Sequence, residues 1–397
     1  MKKLGKEFVE LDEDDNEIPV SPDELIGESW EIADMGIEDS VVSEGWLAGN
    51  TISELMETYI ERVVGEDVYN CYGRQFPLLI KFLDINGKLS VQVHPDDEIA
   101  AERYDALGKT EIWYVLEAGP DARIYAGFNR EMTAQELYDR CQDGTVAETL
   151  NVIRPRKGDV IYMKPGTVHA AEGGLLVVEI QESSDMTFRL YDWGREFNPM
   201  TARPLHLEEA IDFIDYGPFD QSQFKKGPAW GVEESHEPCG HECSCGGHHH
   251  HDEKVVENLV EGHPFNVAKI NLTDPLHIYT EKFESFILYV CVEGAASIQV
   301  PSTKENGEAC MDNYEFAKGE TIMVPADMPD FYLVPRDRST VLLEATCCPE
   351  TDFDAYIDPD TDAFLEGEDY EGLEDGAFDD DDETQTPAGA SPLNFFS

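Results

Sequence analysis

Residues 157–165 read Lys157-Gly158-Asp159-Val160-Ile161-Tyr162-Met163-Lys164-Pro165, and a near copy stands at Lys318-Gly319-Glu320-Thr321-Ile322-Met323-Val324-Pro325. Each copy is a Lys-Gly turn, a short apolar run and a proline that cannot donate to a sheet ladder. Each therefore reads as one short strand punctuated at both ends. The repetition extends in both directions. WYVLEAG from Trp113 resembles LYVCVEG from Leu288, which aligns Glu111 with Phe286, and each block closes on an apolar strand, LLVVEIQ from Leu175 and TVLLEAT from Thr340. Around the first copy lie PLLIKFLDI from Pro77, KLSVQVHP from Lys88 and TEIWYVLEA from Thr110, all bounded by turn residues. Many short strands of this kind predict an antiparallel barrel or sandwich, and their recurrence predicts two of them.

Helical periodicity interrupts the first block at residues 51–64 and 133–151, with Thr51 and Thr133 as N-caps ahead of Glu54 and Glu136. The chain thus divides into an acidic N-terminal extension (1–27), a first barrel with helical insertions (28–235), a His/Cys-rich loop or linker (236–254), a second barrel (255–348) and an acidic tail (349–397) expected to be disordered. Eighty-four acidic residues against 28 basic ones give a formal net charge of −56. Such a field repels phosphate backbones and anionic lipid, so neither nucleic acid nor a membrane surface is expected as a partner. An anionic small molecule would need a locally built cationic pocket.

The first ten residues hold no signal-like apolar stretch, and no window is apolar over the length a bilayer requires. Nine cysteines form no regular disulfide framework, and three of them (Cys239, Cys243, Cys245) crowd one segment, which points to a reducing cytoplasm. That segment, PCGHECSCGGHHHHDE at 238–253, sets thiols beside imidazoles and is a candidate for extra metal ions.

Chemistry gathers on LSVQVHP, residues 89–95. Side chains alternate along a strand, so Ser90, Gln92 and His94 share one face while the leucine and valines share the other. In GKTEIWYV, Lys109 and Glu111 likewise share a face, and His169 follows a Pro-Gly turn at the head of a strand, where the second copy has Pro329. Gln92, His94, Glu111 and His169 together make a possible metal-ligand set with open positions for water or substrate oxygens. The bland alternative is a pair of histidines satisfied at strand ends.

FPLLIKFLD (76–84), KLSVQVHPDDE (88–98), GKTEIWY (108–114), KGDVIYMKPGTVHA (157–170) and EIQESSDMTFRLYDWGR (179–195) together resemble the type I mannose-6-phosphate isomerases, in their short bacterial form. ESWEIAD (28–34) and GWLAGNTISEL (45–55) fit the same family. The resemblance implies a mostly β fold of two cupin-type jelly-roll barrels, with helical insertions in the N-terminal one. It implies one zinc ion per chain, held by Gln92, His94, Glu111 and His169, and a catalytic arginine at Arg189. Ser90 and Lys109 fall on positions lining the family's substrate pocket, with Arg195 as a phosphate contact. If residues 189–195 are extended, Arg189, Tyr191, Trp193 and Arg195 share one face. The family's segment with a Trp-Gly-Gly turn, ahead of the first barrel, has no counterpart before Glu28-Ser29-Trp30.

The implied reaction interconverts mannose 6-phosphate and fructose 6-phosphate through an enediol. Arg189, always protonated, suits an electrostatic role and not that of a base. The base is left open among Lys109, Glu179, Glu182 and Asp185. Competing readings are an isomerase of a related sugar phosphate, a cupin epimerase and a non-catalytic metal-dependent sugar-binding or regulatory cupin. Arg189 and Lys109 beside a full ligand set favour catalysis.

Overall fold

The computed structural model describes residues 2–6, 9–11, 17–19, 26–36, 38–44, 47–227, 255–280, 285–304 and 306–349. The His/Cys-rich segment at 238–253 and the tail beyond 349 lie outside these residues. Two antiparallel jelly rolls follow one another along the chain. In the first, one sheet runs Phe224–Lys225, Val160–Met163, Glu111–Ala118, Leu175–Glu182, Leu78–Ile85, Glu28–Ile32. Its facing sheet runs Leu150–Ile153, Arg123–Phe128, His169–Glu172, Val91–Val93, Phe188–Tyr191.

The second barrel repeats this order. Thr321–Val324, Ile287–Glu293, Thr340–Cys347, Phe265–Leu272 and Val256–Val260 form one sheet, and Ala309–Ala317, Ala295–Thr303, Asp330–Pro335 and Leu276–Tyr279 the other. The ladder refines the alignment of the two copies. Met163 pairs with Glu111 and Ile161 with Trp113, while Val324 pairs with Ile287 and Ile322 with Tyr289. The counterpart of Glu111 is therefore Ile287, not Phe286. The slip arises at the turn, where Ala118 stands between Glu117 and Gly119 but Glu293 runs straight into Gly294.

Alternation along these strands sends side chains to two different cores. Trp113, Val115 and Val177 point into the first barrel, and Ile287, Tyr289 and Phe331 into the second. The opposite faces meet in a third core, where Ile112, Tyr114 and Ile180 pack in one cluster with Phe286, Leu288 and Leu343. The same cluster takes in Leu55, Met56 and Val64 from the helices Ile52–Tyr59 and Glu61–Val64. Thr51 caps the first of these with a full capping box, and Thr133 caps Ala134–Gln142 by accepting from the Glu136 N–H. Among the described residues no helix is long and apolar enough to cross a membrane.

Candidate metal centre and its cavity

Three adjacent strands bring the polar residues together. Val91–Val93 lies between His169–Glu172 and Phe188–Tyr191, so Gln92 pairs with His169 on one side and with Arg189 on the other. Val91 and Val93 bury their side chains in the core, which turns Gln92 the opposite way. His94 follows at the strand exit, where its carbonyl accepts from the Gly166 N–H. Gly166 sits at φ +78°, and a Cβ there would lie 2.7 Å from the Phe213 carbonyl oxygen. Only glycine makes that turn, and the turn delivers His169.

His94, Glu111 and His169 are 2%, 0% and 1% exposed. The His169 Nε2 stands 3.1 Å from Glu111 Oε1, and the His94 Nε2 stands 3.5 Å from Glu111 Oε2. Both imidazoles place Nδ1 2.9 Å from a backbone carbonyl, that of Met186 for His94 and that of Thr167 for His169. A carbonyl only accepts, so each Nδ1 carries a proton, and in a neutral ring Nε2 then holds the lone pair that faces the carboxylate. Neither Glu111 oxygen nor the His94 Nε2 has a hydrogen-bond partner. Buried lone pairs crowded in this way are the environment that a cation satisfies, so the residues fit a metal ion. The Gln92 side chain lies beside them, its amide nitrogen 3.3 Å from His169 Nε2 and its oxygen accepting from the Ser90 hydroxyl at 3.0 Å. Half a turn of that amide presents the oxygen instead.

Charge reinforces the geometry. Burial, then the nearby Lys109 ammonium, pushes His94 down to about 3, so the ring is neutral at ordinary pH. Burial pushes Glu111 up, but Lys109, His169 and His94 outweigh it and hold the carboxyl well below its usual range. Burial lowers Lys109, yet Glu111, Glu179 and Asp185 prevail and raise it. Lys109 Nζ lies 3.5 Å from Glu111 Oε2.

Gln92 and Lys109 also line an open cavity of about 360 Å³, together with Ser90, Trp113 and Arg189. Arg189 donates from Nη1 to the Pro204 carbonyl at 2.9 Å, and its Nε is buried without a partner. Arg195 lies beside this cavity and not in its lining. The strand ends at Tyr191, and Trp193 and Gly194 turn left-handed at φ +58° and +85°, so the extended face expected over 189–195 does not form. Arg195 instead holds the buried Asp192 and borders an adjoining hollow that shares Glu28, Leu83 and Leu89 with the cavity. Asp192 is shared with Arg203, which does line the cavity.

Sequence reasoning missed Arg203 and Lys81. Lys81 carried a signal, a lone charge inside the apolar run PLLIKFLDI, whereas nothing local marks Arg203. Lys81 lies over the Trp30 ring at 4.2 Å and 4.0 Å from Glu179, which accepts from Trp113 Nε1 at 2.7 Å. Glu179 and Asp185 line the cavity. Glu182 does not, and its Oε2 accepts from the Thr110 N–H at 2.7 Å.

Two jelly rolls, one of them enclosing a histidine–carboxylate cluster beside a cationic cavity, define a cupin-type barrel protein built to hold a metal. A family model described as the catalytic domain of type I phosphomannose isomerase matches residues 4–131. Mannose-6-phosphate isomerase ManA of Bacillus subtilis is 33% identical over 314 residues, covering 79% of this chain and 87% of that protein. The crystal structure of the mannose 6-phosphate isomerase from Bacillus subtilis matches with a TM-score of 0.61 and 28% identity, over 80% of this chain and 89% of that one. A zinc-bound mannose 6-phosphate isomerase structure shares the fold, with a TM-score of 0.58 at 15% identity over 81% of this chain and 91% of that one. The chain belongs to the type I mannose-6-phosphate isomerase family.

Proposed function

We propose that the chain is a zinc-dependent aldose–ketose isomerase that interconverts mannose 6-phosphate and fructose 6-phosphate through an enediol. The observation that carries this reading is the junction of the buried, unpartnered cluster with the cavity, through Gln92 and Lys109. Relatives named as mannose-6-phosphate isomerases supply the substrate. Gln92, His94, Glu111 and His169 would hold the zinc. The ion supplies Lewis acidity for the charge that develops on the sugar oxygens.

The protein's own groups divide the remaining work. A net charge of −56 opposes a sugar phosphate at long range, but screening confines that field to about 8–10 Å in physiological salt. Inside the cavity Lys81, Lys109, Arg189 and Arg203 outnumber Glu28, Glu179 and Asp185 and draw the anion in. Arg195 holds Asp192 and so helps aim Arg203. Ser90 orients the Gln92 amide. Lys109, kept protonated by its carboxylate neighbours, donates to an enediol oxygen, and Arg189 opposes the same developing charge. The carbon-bound proton passes to a carboxylate of the wall, Asp185 or Glu179, and returns to the neighbouring carbon. None of the six described cysteines is in a disulfide, in keeping with the cytoplasm as its compartment.

The test is an assay of fructose 6-phosphate formation from mannose 6-phosphate by the purified full chain, before and after chelation. Activity lost on chelation and restored by zinc is expected. Full activity in a metal-free preparation, or no fructose 6-phosphate at all, overturns the reading.

A further inference from the structure

A second group of ligating side chains, unused by the isomerisation, lies between the barrels. Asp97, Glu182 and His263 each bring a ligand atom to within 4.8 Å of the others. Asp97 opens the helix Asp97–Tyr104 and Glu182 ends the strand Leu175–Glu182, both in the first barrel. His263 belongs to the second barrel, in the turn between Val256–Val260 and Phe265–Leu272.

Each of the three commits one polar atom to backbone and keeps the other for the group. Asp97 Oδ1 accepts from the Gly108 N–H at 2.8 Å, and Glu182 Oε2 from the Thr110 N–H at 2.7 Å. His263 Nδ1 lies 3.1 Å from the Cys348 carbonyl, which only accepts, so Nδ1 carries the proton and a neutral ring has its lone pair at Nε2. That nitrogen faces Asp97 Oδ2 at 3.1 Å; burial lowers the ring's pKa but Asp97 outweighs it and raises it, so a bound ion would stand in place of a proton shared by the two. Glu182 is 1% exposed, its Oε1 is buried with no protein donor to it, and burial, then the neighbouring Asp97, push its carboxyl up to about 8. An orphaned carboxylate oxygen at that depth is costly unless something positive sits beside it. The construction resembles His94, Glu111 and His169, where backbone carbonyls also fix the imidazole protons and a buried carboxylate oxygen also lacks a hydrogen-bond donor.

We infer that Asp97, Glu182 and His263 form a second metal site, for a divalent ion of the zinc type, that joins the two barrels. One imidazole with two carboxylates is a mixed nitrogen–oxygen set suited to such an ion. Ligand bonds of about 2.0–2.2 Å require the three atoms, now within 4.8 Å of one another, to draw in around the ion. The site also reaches the catalytic cavity. Gly108 and Thr110 flank Lys109, so the two carboxylates grip the backbone that presents Lys109 and Glu111. A Cβ on Gly108 would lie 2.6 Å from the Asp97 nitrogen, so this close seat admits only glycine. The ion makes the second barrel a positioning element for the first.

Zinc-loaded full-length protein, desalted and counted by mass spectrometry, tests this when the wild type is compared with Glu182→Gln and His263→Gln. The His/Cys-rich segment is present in all three proteins, so its ions cancel in the difference. Each variant is expected to hold one zinc equivalent per chain fewer than the wild type. Equal counts overturn the inference. A second measurement needs no variant: wild-type crystals grown with zinc should show an anomalous peak between Asp97, Glu182 and His263. A peak at His94–Glu111–His169 with none here overturns it and leaves Glu182 with a shared proton.

Discussion

On one rung of equivalent ladders the first barrel carries Glu111 and the second carries Ile287, and the next rungs are as instructive. Both barrels keep a glutamate capped by an aromatic donor, buried in the first and half-buried in the second: Trp113 Nε1 on Glu179 at 2.7 Å, and the Tyr289 hydroxyl on Glu344 at 2.8 Å. Burial raises the pKa of both carboxyls. What differs is the residue across the strand pair. Lys81 stands opposite Glu179, whereas Ala268 stands opposite Glu344. The jelly roll and its aromatic-capped glutamate are therefore common to both copies. Ligands and cations, added on neighbouring rungs, distinguish the copy that does chemistry.

The sharpest way to break this contrast is Glu111→Ile, which writes the second barrel's residue into the first. It should abolish zinc retention at the cluster and lower kcat/KM by about 10³-fold or more, with the circular dichroism spectrum unchanged. Activity near wild type would remove the cluster from the reaction. Next in size, Phe286→Ala opens a cavity where that ring meets Phe76 at 4.7 Å between centroids. Denaturant titration should show a loss of about 3–5 kcal/mol, with the zinc count unchanged.

The titration of His94 comes third. Its pKa falls from the ordinary 6.5 to about 3 on folding, so its contribution to stability is complete above pH 6.5 and is lost as pH falls from there toward 3. Metal-free protein should lose up to about 1.4 kcal/mol per pH unit across that window, and His94→Gln should flatten the slope. The smallest effect belongs to Tyr289→Phe, which removes the donor to Glu344. A cost of about 1–3 kcal/mol with kcat untouched is expected, and a fall in kcat would show that the second barrel is not mere scaffold.

Much of the site was legible because local rules governed it. Strand alternation put Ser90, Gln92 and His94 on one face, and the Pro-Gly turn put His169 at a strand head. The failures share a different physics. Arg195 stands off the face shared by an extended strand because the strand's end depends on Asp192, buried under two arginines, and on Trp193 accepting a left-handed backbone. Glu111 was aligned with Phe286 because one extra residue, Ala118, sits in a hairpin that only the ladder resolves. Asp97, Glu182 and His263 meet through tertiary packing of segments far apart in the chain, and no spacing announces them.

The core between the barrels has a thermodynamic consequence. Because Ile112, Tyr114 and Ile180 pack in one cluster with Phe286, Leu288 and Leu343, neither half can melt without stripping apolar surface from the other. The duplicated architecture should then unfold as a single cooperative unit, with its calorimetric enthalpy equal to its van 't Hoff enthalpy. A chain cut between the copies would leave two fragments that each expose half of a core, prone to clump before they fold. The barrel without ligands persists, on this view, because its partner cannot stand without it.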